Sequence, residues 1–373
     1  MNKKTAWIVA IVFLLIIIVW GISKDSQVKN KNVIKLGVVA TMSGAGANLG
    51  VPWVGGMQAA VDEINAKGGV NGKKFELDVQ PTAIDGAESV NTVRYLLANN
   101  NPDIFFVLFQ VSAAAINPIL KEAKKPLFSL SFSRSIPEKN PYAIKGNFDS
   151  LTGCEQLTQY TKDNKKYKQL GVLMSGEDYN VKCLEGIKKV EPNIKEYHYN
   201  FGQTDFRSLL AKANHDGVDV LEQVAIDFEY LAMFKQINEL GYKIKMACNT
   251  ASECMTGQVK DVVPAKNLEG TMGIDFTPIN TAESDFGKTF LKNHPTYDVK
   301  NLTNYTAMGY DSIELISKAM ESCKADDPAC VVDAITKVKD YNSVIGSEGF
   351  IDRVQQFKMN IYEYNNGNWA LKQ

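Results

Sequence analysis

Short apolar runs alternate with helical patterns through the first third of the chain. The run IKLGVVA (34–40) has the length and composition of a buried strand. Apolar residues then recur at helical spacing over 52–67, and Gly68-Gly69 ends that pattern. The order repeats, with strands predicted at 75–80, 103–109 and 126–130 and helices at 86–99 and 113–124. Strands separated by helices pair in parallel, so this stretch predicts an α/β sheet covered on both faces.

The same alternation of predicted strands and helices begins again near Ser150 and predicts a second α/β unit. Its helices are predicted at 150–163, 179–190, 205–214 and 228–240, and its strands at 169–174, 196–201, 218–225, 243–248 and 270–276. Further helices near 282–293, 303–322 and 328–339 precede an alternating tail. Ligands of open α/β sheets bind beyond the carboxyl ends of the strands. Two such units therefore predict two lobes with a binding cleft between them.

The N-terminus differs from the rest of the chain in composition. Residues 6–22 carry no charge, and as a helix they are about 26 Å long, just enough to cross a bilayer core. Residues 1–22 are therefore predicted to be a retained membrane anchor or a cleaved signal peptide. Lys3 and Lys4 favour a cytoplasmic N-terminus, which places the main body outside the cytoplasm in either case. The polar stretch 23–33 is predicted to be a tether.

Charge gives no reason to expect nucleic acid as a partner. The chain has 41 Lys and Arg against 42 Asp and Glu, a net charge of −1. The acidic pairs Glu177-Asp178 and Asp326-Asp327 are expected on the solvated surface.

The six cysteines are typical of an oxidising compartment. Cys323 and Cys330 bracket a short loop that a disulfide can close, and Cys248 and Cys254 bracket another. Cys154 and Cys183 then remain as a third pair, and free buried thiols are the alternative. There is no CxxC motif and the three histidines are scattered, so we expect no metal site.

A glycine-rich loop, TMSGAGANLG (41–50), follows the first strand. Its glycine spacing, G-x-G-x-x-x-G, is one residue longer than the dinucleotide-binding fingerprint, so no nucleotide cofactor is expected. Ser43 and backbone N–H groups near Pro52, where a helix is predicted to begin, are candidates for binding an anionic group. The alternative is a tight turn without a ligand. Since the chain has no G-x-S-x-G, H-E-x-x-H or Walker motif, we do not expect an enzyme.

Residues 34–77 resemble the start of the type I periplasmic solute-binding proteins, and more narrowly the family that binds leucine, isoleucine and valine for ABC importers. A strand leads into Ser43-Gly44, and the next helix ends at GGVNG (68–72). NPILKEAKKPLFSLSFS (117–133) and GSEGFIDRVQQF (346–357) are also similar to that family. The resemblance implies two lobes joined by three crossings and a hinge. It assigns 34–148 and 277–344 to lobe one, and 149–276 and 345–373 to lobe two.

The resemblance also implies ligand-binding residues. The family's first-lobe position for the ligand carboxylate falls on Gln110 or Ser112, and the next loop places Ser131 and Ser133 at the ligand. Tyr179 matches an aromatic residue that closes from lobe two. The family's acidic partner for a ligand ammonium falls on neutral Asn249 or Thr250, and Asp227 is a candidate replacement.

The resemblance favours an extracytoplasmic substrate-binding protein of an ABC importer, with a membrane permease as partner and a small polar ligand, an amino acid or related carboxylate. The alternative is a sensor of the same fold that acts through a partner protein. Without a partner for its ammonium, an amino-acid ligand is costly to bury, so the neutral residues at 249 and 250 leave the ligand class open.

Overall fold

The computed structural model describes residues 32–372 apart from 165, 255–256, 277–280, 324–326 and 340. The described chain forms two seven-stranded sheets, each the centre of one lobe. Lobe one contains β1 (Val33–Ala40), β2 (Lys74–Pro81), β3 (Ile104–Val107), β4 (Leu127–Ser129), β5 (Ala143–Lys145), β11 (Ser347–Ile351) and β12 (Val354–Phe357), in the order β11-β12-β5-β4-β3-β1-β2. Only β11 is antiparallel to its neighbour.

Lobe two repeats this arrangement. Its strands are β6 (Leu170–Ser175), β7 (Lys195–Tyr199), β8 (Val220–Gln223), β9 (Lys245–Cys248), β10 (Met272–Asp275), β13 (Asn360–Asn365) and β14 (Asn368–Leu371), in the order β14-β13-β10-β9-β8-β6-β7. The first five pair in parallel, and β13 and β14 add an antiparallel edge.

Helices cover both faces of each sheet. Those of lobe one are α1 (Ala47–Ala66), α2 (Gly86–Asn99), α3 (Gln110–Glu122), α4 (Ser135–Lys139), α12 (Asp285–Asn293), α13 (Asn304–Met320) and α14 (Pro328–Lys337), with 3₁₀ turns at Thr281–Glu283 and Val299–Asn301. Those of lobe two are α5 (Ser150–Asp163), α6 (Asp178–Val190), α7 (Arg207–His215), α8 (Asp227–Leu240), α9 (Ala251–Cys254), α10 (Gly257–Val262) and α11 (Ala265–Leu268).

Apolar side chains fill both faces of each sheet. In lobe one, Trp53 and Ile313 pack on one face, while Val93 and Ile116 pack on the other. Strand residues such as Phe105 and Phe106, which point to opposite faces, are both fully buried. The predicted two-lobed α/β fold is confirmed. It was predictable because parallel strands that are buried on both faces have continuous apolar sequences.

The chain passes between the lobes three times: between β5 and α5, between β10 and the turn Thr281–Glu283, and between β12 and β13. The expected boundary at 345 placed the whole tail in lobe two. The structure instead pairs β12 in parallel with β5, and β11 antiparallel with β12, so 347–357 belong to the first sheet. Alternation in a tail indicates strands but does not specify which sheet edge they extend.

Helix α1 begins at Ala47, five residues before the expected start at Pro52. Gly46 precedes it with a left-handed φ of 84°. A Cβ at Gly50 would lie 1.9 Å from the carbonyl oxygen of Thr41, so this turn brings the helix directly against the end of β1. The glycines thus have a packing role, which is the alternative left open by the sequence.

All three expected disulfides form, joining Cys154 to Cys183, Cys248 to Cys254 and Cys323 to Cys330. Every cysteine is paired, so the alternative of free thiols was wrong. Among the described residues, no helix combines the length and apolarity needed to cross a bilayer. The predicted anchor or signal, 1–22, lies outside the described residues, and so does the tether except for Asn32 and Val33.

Candidate ligand-binding site

A small cavity lies between the lobes, beyond the carboxyl ends of strands from both sheets. The space open to the centre of a water molecule is about 20 Å³, little more than one water needs, so the lobes are nearly in contact around it. Its walls are mainly apolar and comprise Ile84, Leu108, Phe109, Gln110, Val111, Leu130, Phe132, Tyr179, Phe201, Ile226 and Tyr305. This is the place where open α/β sheets bind ligands.

Aromatic rings from the two lobes meet at this cavity. The centroids of Phe132 in lobe one and Tyr179 in lobe two are 5.8 Å apart. Tyr179 is only 3% exposed, and burial raises the pKa of its hydroxyl, which is therefore a neutral hydrogen-bonding group at physiological pH. Phe148 packs behind Phe132, with ring centroids 5.2 Å apart.

Two serine hydroxyls between the end of β4 and the start of α4 bind a carboxylate of lobe two. Ser133 and Ser135 both donate through Oγ to Asp178 Oδ2, and the Ser135 bond is 2.6 Å long. The backbone N–H of Ser133 donates to Gln110 Oε1 at 3.3 Å, which holds this loop against the start of α3. Asp178 is the first residue of α6, where the helix dipole favours a negative charge.

Two further carboxylates of lobe two reach lobe one. Asn48 donates through Nδ2 to Asp227 Oδ2 at 2.5 Å, and the Tyr305 hydroxyl donates to Glu253 Oε1. Burial raises the pKa of Glu253 to about 8. A smaller adjoining cavity shares Phe132 and Tyr305 with the first and includes Glu253 in its wall. These contacts between lobes define a closed conformation.

The structure brings four of the expected site residues to the lobe interface: Gln110, Ser133, Tyr179 and Asp227. Ser131 lies between two residues of the cavity wall and is fully buried, with no hydrogen-bond partner for its Oγ in the described structure. Thr250 lines the smaller cavity and lies 3.2 Å from the Tyr230 hydroxyl.

Three expected residues are placed away from the cavity wall. Ser43 is exposed in the glycine-rich loop. Ser112 accepts a 2.8 Å hydrogen bond from Ser89 inside lobe one. Asn249 donates to Glu222 at 3.1 Å inside lobe two.

Sequence reasoning missed several residues of the interface, above all Asp178, Glu253, Asn48, Ser135 and Tyr305. Asp178 was expected on the solvated surface, but it is half-buried because its carboxylate accepts hydrogen bonds from Ser133 and Ser135 of lobe one. Glu253 lies three residues after Thr250, one turn along a short helix, so a search for an acid extended by one helical turn would have found it.

The buried cavity between two α/β lobes defines the chain as a bilobal binding protein. The family model described as "Periplasmic binding protein" matches residues 33–368, and the chain belongs to that family. The resemblance to type I periplasmic solute-binding proteins is thereby confirmed. Members of this family act outside the cytoplasm, bind small molecules and work with ABC transporters.

Two relatives carry names that refer to branched-chain amino acids. "Leu/Ile/Val-binding protein homolog 7" of Brucella abortus is 26% identical over 328 residues, covering 82% of this chain and 81% of its own. "Leu/Ile/Val-binding protein homolog 1" of Brucella suis is 22% identical over 332 residues, covering 85% of this chain and 86% of its own.

Solved structures share the fold. The leucine-binding protein LivK of Thermotoga maritima has a TM-score of 0.80 at 18% identity, covering 91% of this chain and 98% of its own. A solute-binding protein of an ABC transporter from R. palustris, solved with 4-hydroxybenzoate, has a TM-score of 0.79 at 21% identity, covering 91% and 96%. LivJ of Streptococcus pneumoniae, solved with isoleucine, has a TM-score of 0.76 at 22% identity, covering 91% and 99%.

Proposed function

We propose that this chain is the extracytoplasmic substrate-binding protein of an ABC importer, and that it clamps a small polar ligand between its lobes. The observation that carries the proposal is the interlobe cavity, whose walls come from both lobes and meet through hydrogen bonds such as those of Asp178. The proposed role of the protein is to bind its ligand without converting it chemically.

Hinge closure is the proposed mechanism. Three crossings link the lobes, so each lobe can move as a body while the crossings bend. Lobe one presents Gln110 and Ser133, and lobe two closes on them with Tyr179 and Asp227. A ligand that contacts both lobes binds the closed form more tightly than the open form. It shifts the equilibrium towards the closed form by that difference in binding free energy. The closed form then docks on the permease.

Residues 1–22 are proposed to hold the protein at the outer side of the membrane, or to direct its export if they are cleaved. The partner in either case is an ABC permease in the same membrane. The family's extracytoplasmic location and its association with ABC transporters support this assignment.

A ligand panel measured by thermal shift and titration calorimetry tests the proposal. Isoleucine and 4-hydroxybenzoate, which the related structures contain, belong in the panel with amines, amides and sugars. At about 100 times its dissociation constant, a ligand stabilises the folded state by about 2.7 kcal/mol. We expect at least one class of small molecule to give such a shift, and a response to none would contradict the proposal.

Two variants locate the binding. Tyr179→Ala removes a ring from the cavity wall and is expected to weaken binding by at least about tenfold, since a buried aromatic contact contributes on the order of 1 kcal/mol beyond its buried area. Ser208→Ala changes an exposed residue of α7 and serves as the control. Equal affinity of both variants would place the ligand elsewhere.

A further inference from the structure

Carboxylates dominate the charge at the lobe interface. Asp178, Asp227 and Glu253 reach from lobe two to groups of lobe one. In the described part of the chain, neither interlobe cavity has a lysine or arginine in its wall. The ionisable side chains that cross the interface between the lobes are therefore acidic, which favours a cationic ligand over an anionic one.

Two of these carboxylates are incompletely satisfied. Asp227 is 7% exposed and Glu253 is 3% exposed. Each has one oxygen bonded across the interface, while Asp227 Oδ1 and Glu253 Oε2 have no hydrogen-bond partner in the described structure. A buried carboxylate without partners is unfavourable unless it is protonated or meets a cation. Neighbouring Glu229, by contrast, accepts from Tyr199, Gly202 and Ile226.

One hydroxyl group that was expected at the ligand, that of Ser133, already binds a carboxylate of the protein. Ser133 and Ser135 donate to Asp178, which arrives from lobe two as the cleft closes. A ligand carboxylate at this position would have to displace Asp178 and would then lie beside an acidic wall. Closure with Asp178 in place thus disfavours an anionic ligand group.

Aromatic side chains supply the remaining wall of the cavity: Phe109, Phe132, Tyr179, Phe201 and Tyr305. The negative face of an aromatic ring attracts an organic ammonium group, and desolvation strengthens that attraction. The same rings exclude water from the apolar body of such a ligand. Aromatic rings and carboxylates together select a positively charged ligand, and the ligand needs no anionic group of its own.

We infer that the ligand of this site is an organic cation, an amine or quaternary ammonium compound with a small apolar body, whose binding does not use a carboxylate. The inference rests on the proposed function, since it concerns the ligand of the same cleft between the lobes. Asp227 and Glu253 hold the ammonium group, the aromatic rings hold the body, and Asp178 stays on its serines.

A matched series tests charge while keeping the apolar body nearly constant. The probes are 3-methylbutylamine, leucine and 4-methylpentanoate, which carry an ammonium group, both charges and a carboxylate, respectively. Choline serves as a quaternary ammonium probe. Titration calorimetry on the whole chain is expected to show that the amine or choline binds at least about tenfold more tightly than leucine, with no binding of the carboxylate.

Tighter binding of leucine or of 4-methylpentanoate would overturn the inference and leave the proposed function intact. If no compound of the series and none of the wider panel bound, the proposed function would fall and the inference with it. The two failures are therefore distinguishable.

Charge-neutral variants test the residues. Asp227→Asn and Glu253→Gln are each expected to weaken amine binding by at least about tenfold, while Asp333→Asn, on the exposed surface of α14, is the control. Asp178→Ala is expected to lower the preference for amine over leucine, because it removes the acceptor oxygen and leaves the hydroxyls of Ser133 and Ser135 open to a ligand carboxylate. These ratios are measured on folded protein, checked by circular dichroism. Unchanged amine affinity in both Asp227→Asn and Glu253→Gln would overturn the assignment.

Discussion

At the scale of single residues, Glu222 shows how a buried acid is accommodated. It is fully buried in lobe two, where Thr158 donates to it at 2.7 Å and Asn249 at 3.1 Å. Burial nevertheless dominates and raises the pKa of Glu222 to about 8. The folded protein therefore keeps a proton there that the unfolded chain releases.

Glu222→Gln is expected to remove one source of pH-dependent stability. Between the unfolded pKa of 4.5 and the folded pKa of about 8, the folded state binds more protons, so its stability falls as pH rises. One group accounts for up to about 1.4 kcal/mol per pH unit. Urea denaturation at pH 5 to 8 measures this, and the free energy of unfolding of the wild type should fall relative to that of the variant. If the difference in the free energy of unfolding between wild type and variant did not change with pH, the raised pKa of Glu222 would be contradicted.

The same residues show why much of the site was not predictable. Asn249 was expected near the ligand because the family's acidic partner for a ligand ammonium falls on Asn249 or Thr250, yet its side chain donates to Glu222. Asp178 was expected in solvent, yet it binds two serines more than 40 residues away. Local sequence indicates which loops meet at the cleft, but the partner of each side chain depends on lobe closure. Gln110, Ser133 and Tyr179 were anticipated because the family resemblance places ligand-binding positions there, and Asp227 because an acid was missing at 249 and 250.

At the scale of elements, helices α1 and α13 cross at unusually short distance. A Cβ at Gly56 would lie 2.0 Å from the Thr306 carbonyl oxygen, and one at Gly309 would lie 2.0 Å from that of Trp53. Each glycine thus faces the backbone of the other helix. Helical periodicity predicted both helices, but close contact between their backbones depends on three-dimensional packing.

Gly56→Ala is expected to destabilise lobe one by about 1–3 kcal/mol, since backbone atoms must move apart to admit a methyl group. Gly176→Ala is the control, because a Cβ there would meet no atom within 4 Å. Thermal unfolding should separate the two variants. Equal melting temperatures would show that the helices adjust without cost.

The disulfide between Cys154 and Cys183 joins α5 to α6 and spans 29 residues. Replacing both cysteines by serine is expected to lower the free energy of unfolding by about 3–4 kcal/mol through greater freedom of the unfolded chain. The Cys323–Cys330 link spans 7 residues, so its double serine variant should lose less, about 2 kcal/mol. Urea denaturation compares them, and the opposite ranking would contradict a chain-entropy origin.

At the scale of the whole molecule, closure of the two lobes depends on the charge of Glu253 at the interface between them. Glu253 is buried there beside Tyr305, and the carboxylates of Asp227, Asp275 and Glu229 repel its charge. Because burial, and to a lesser degree these carboxylates, raise the pKa of Glu253 to about 8, Glu253 is mostly protonated at neutral pH when no cation is bound. The closed form is thus compatible with a neutral Glu253 or with one neutralised by a ligand.

Without ligand, raising the pH from 6 to 9 is expected to favour the open form, since an ionised Glu253 needs water around it. Small-angle X-ray scattering should then give a larger radius of gyration at pH 9. Glu253→Gln should remove the difference, and an amine ligand should restore the compact form at pH 9. An identical radius of the wild type at both pH values would contradict this coupling.

The strand order also affects how the protein is made. Strands β11 and β12 extend the first sheet, and β13 and β14 extend the second, although all four come from the last part of the chain. A chain is synthesised and exported with its N-terminus first, so neither sheet is complete until residues 347–371 have emerged. The two sheets are therefore completed almost together, and a chain that stops before β11 leaves β5 and β10 as exposed sheet edges.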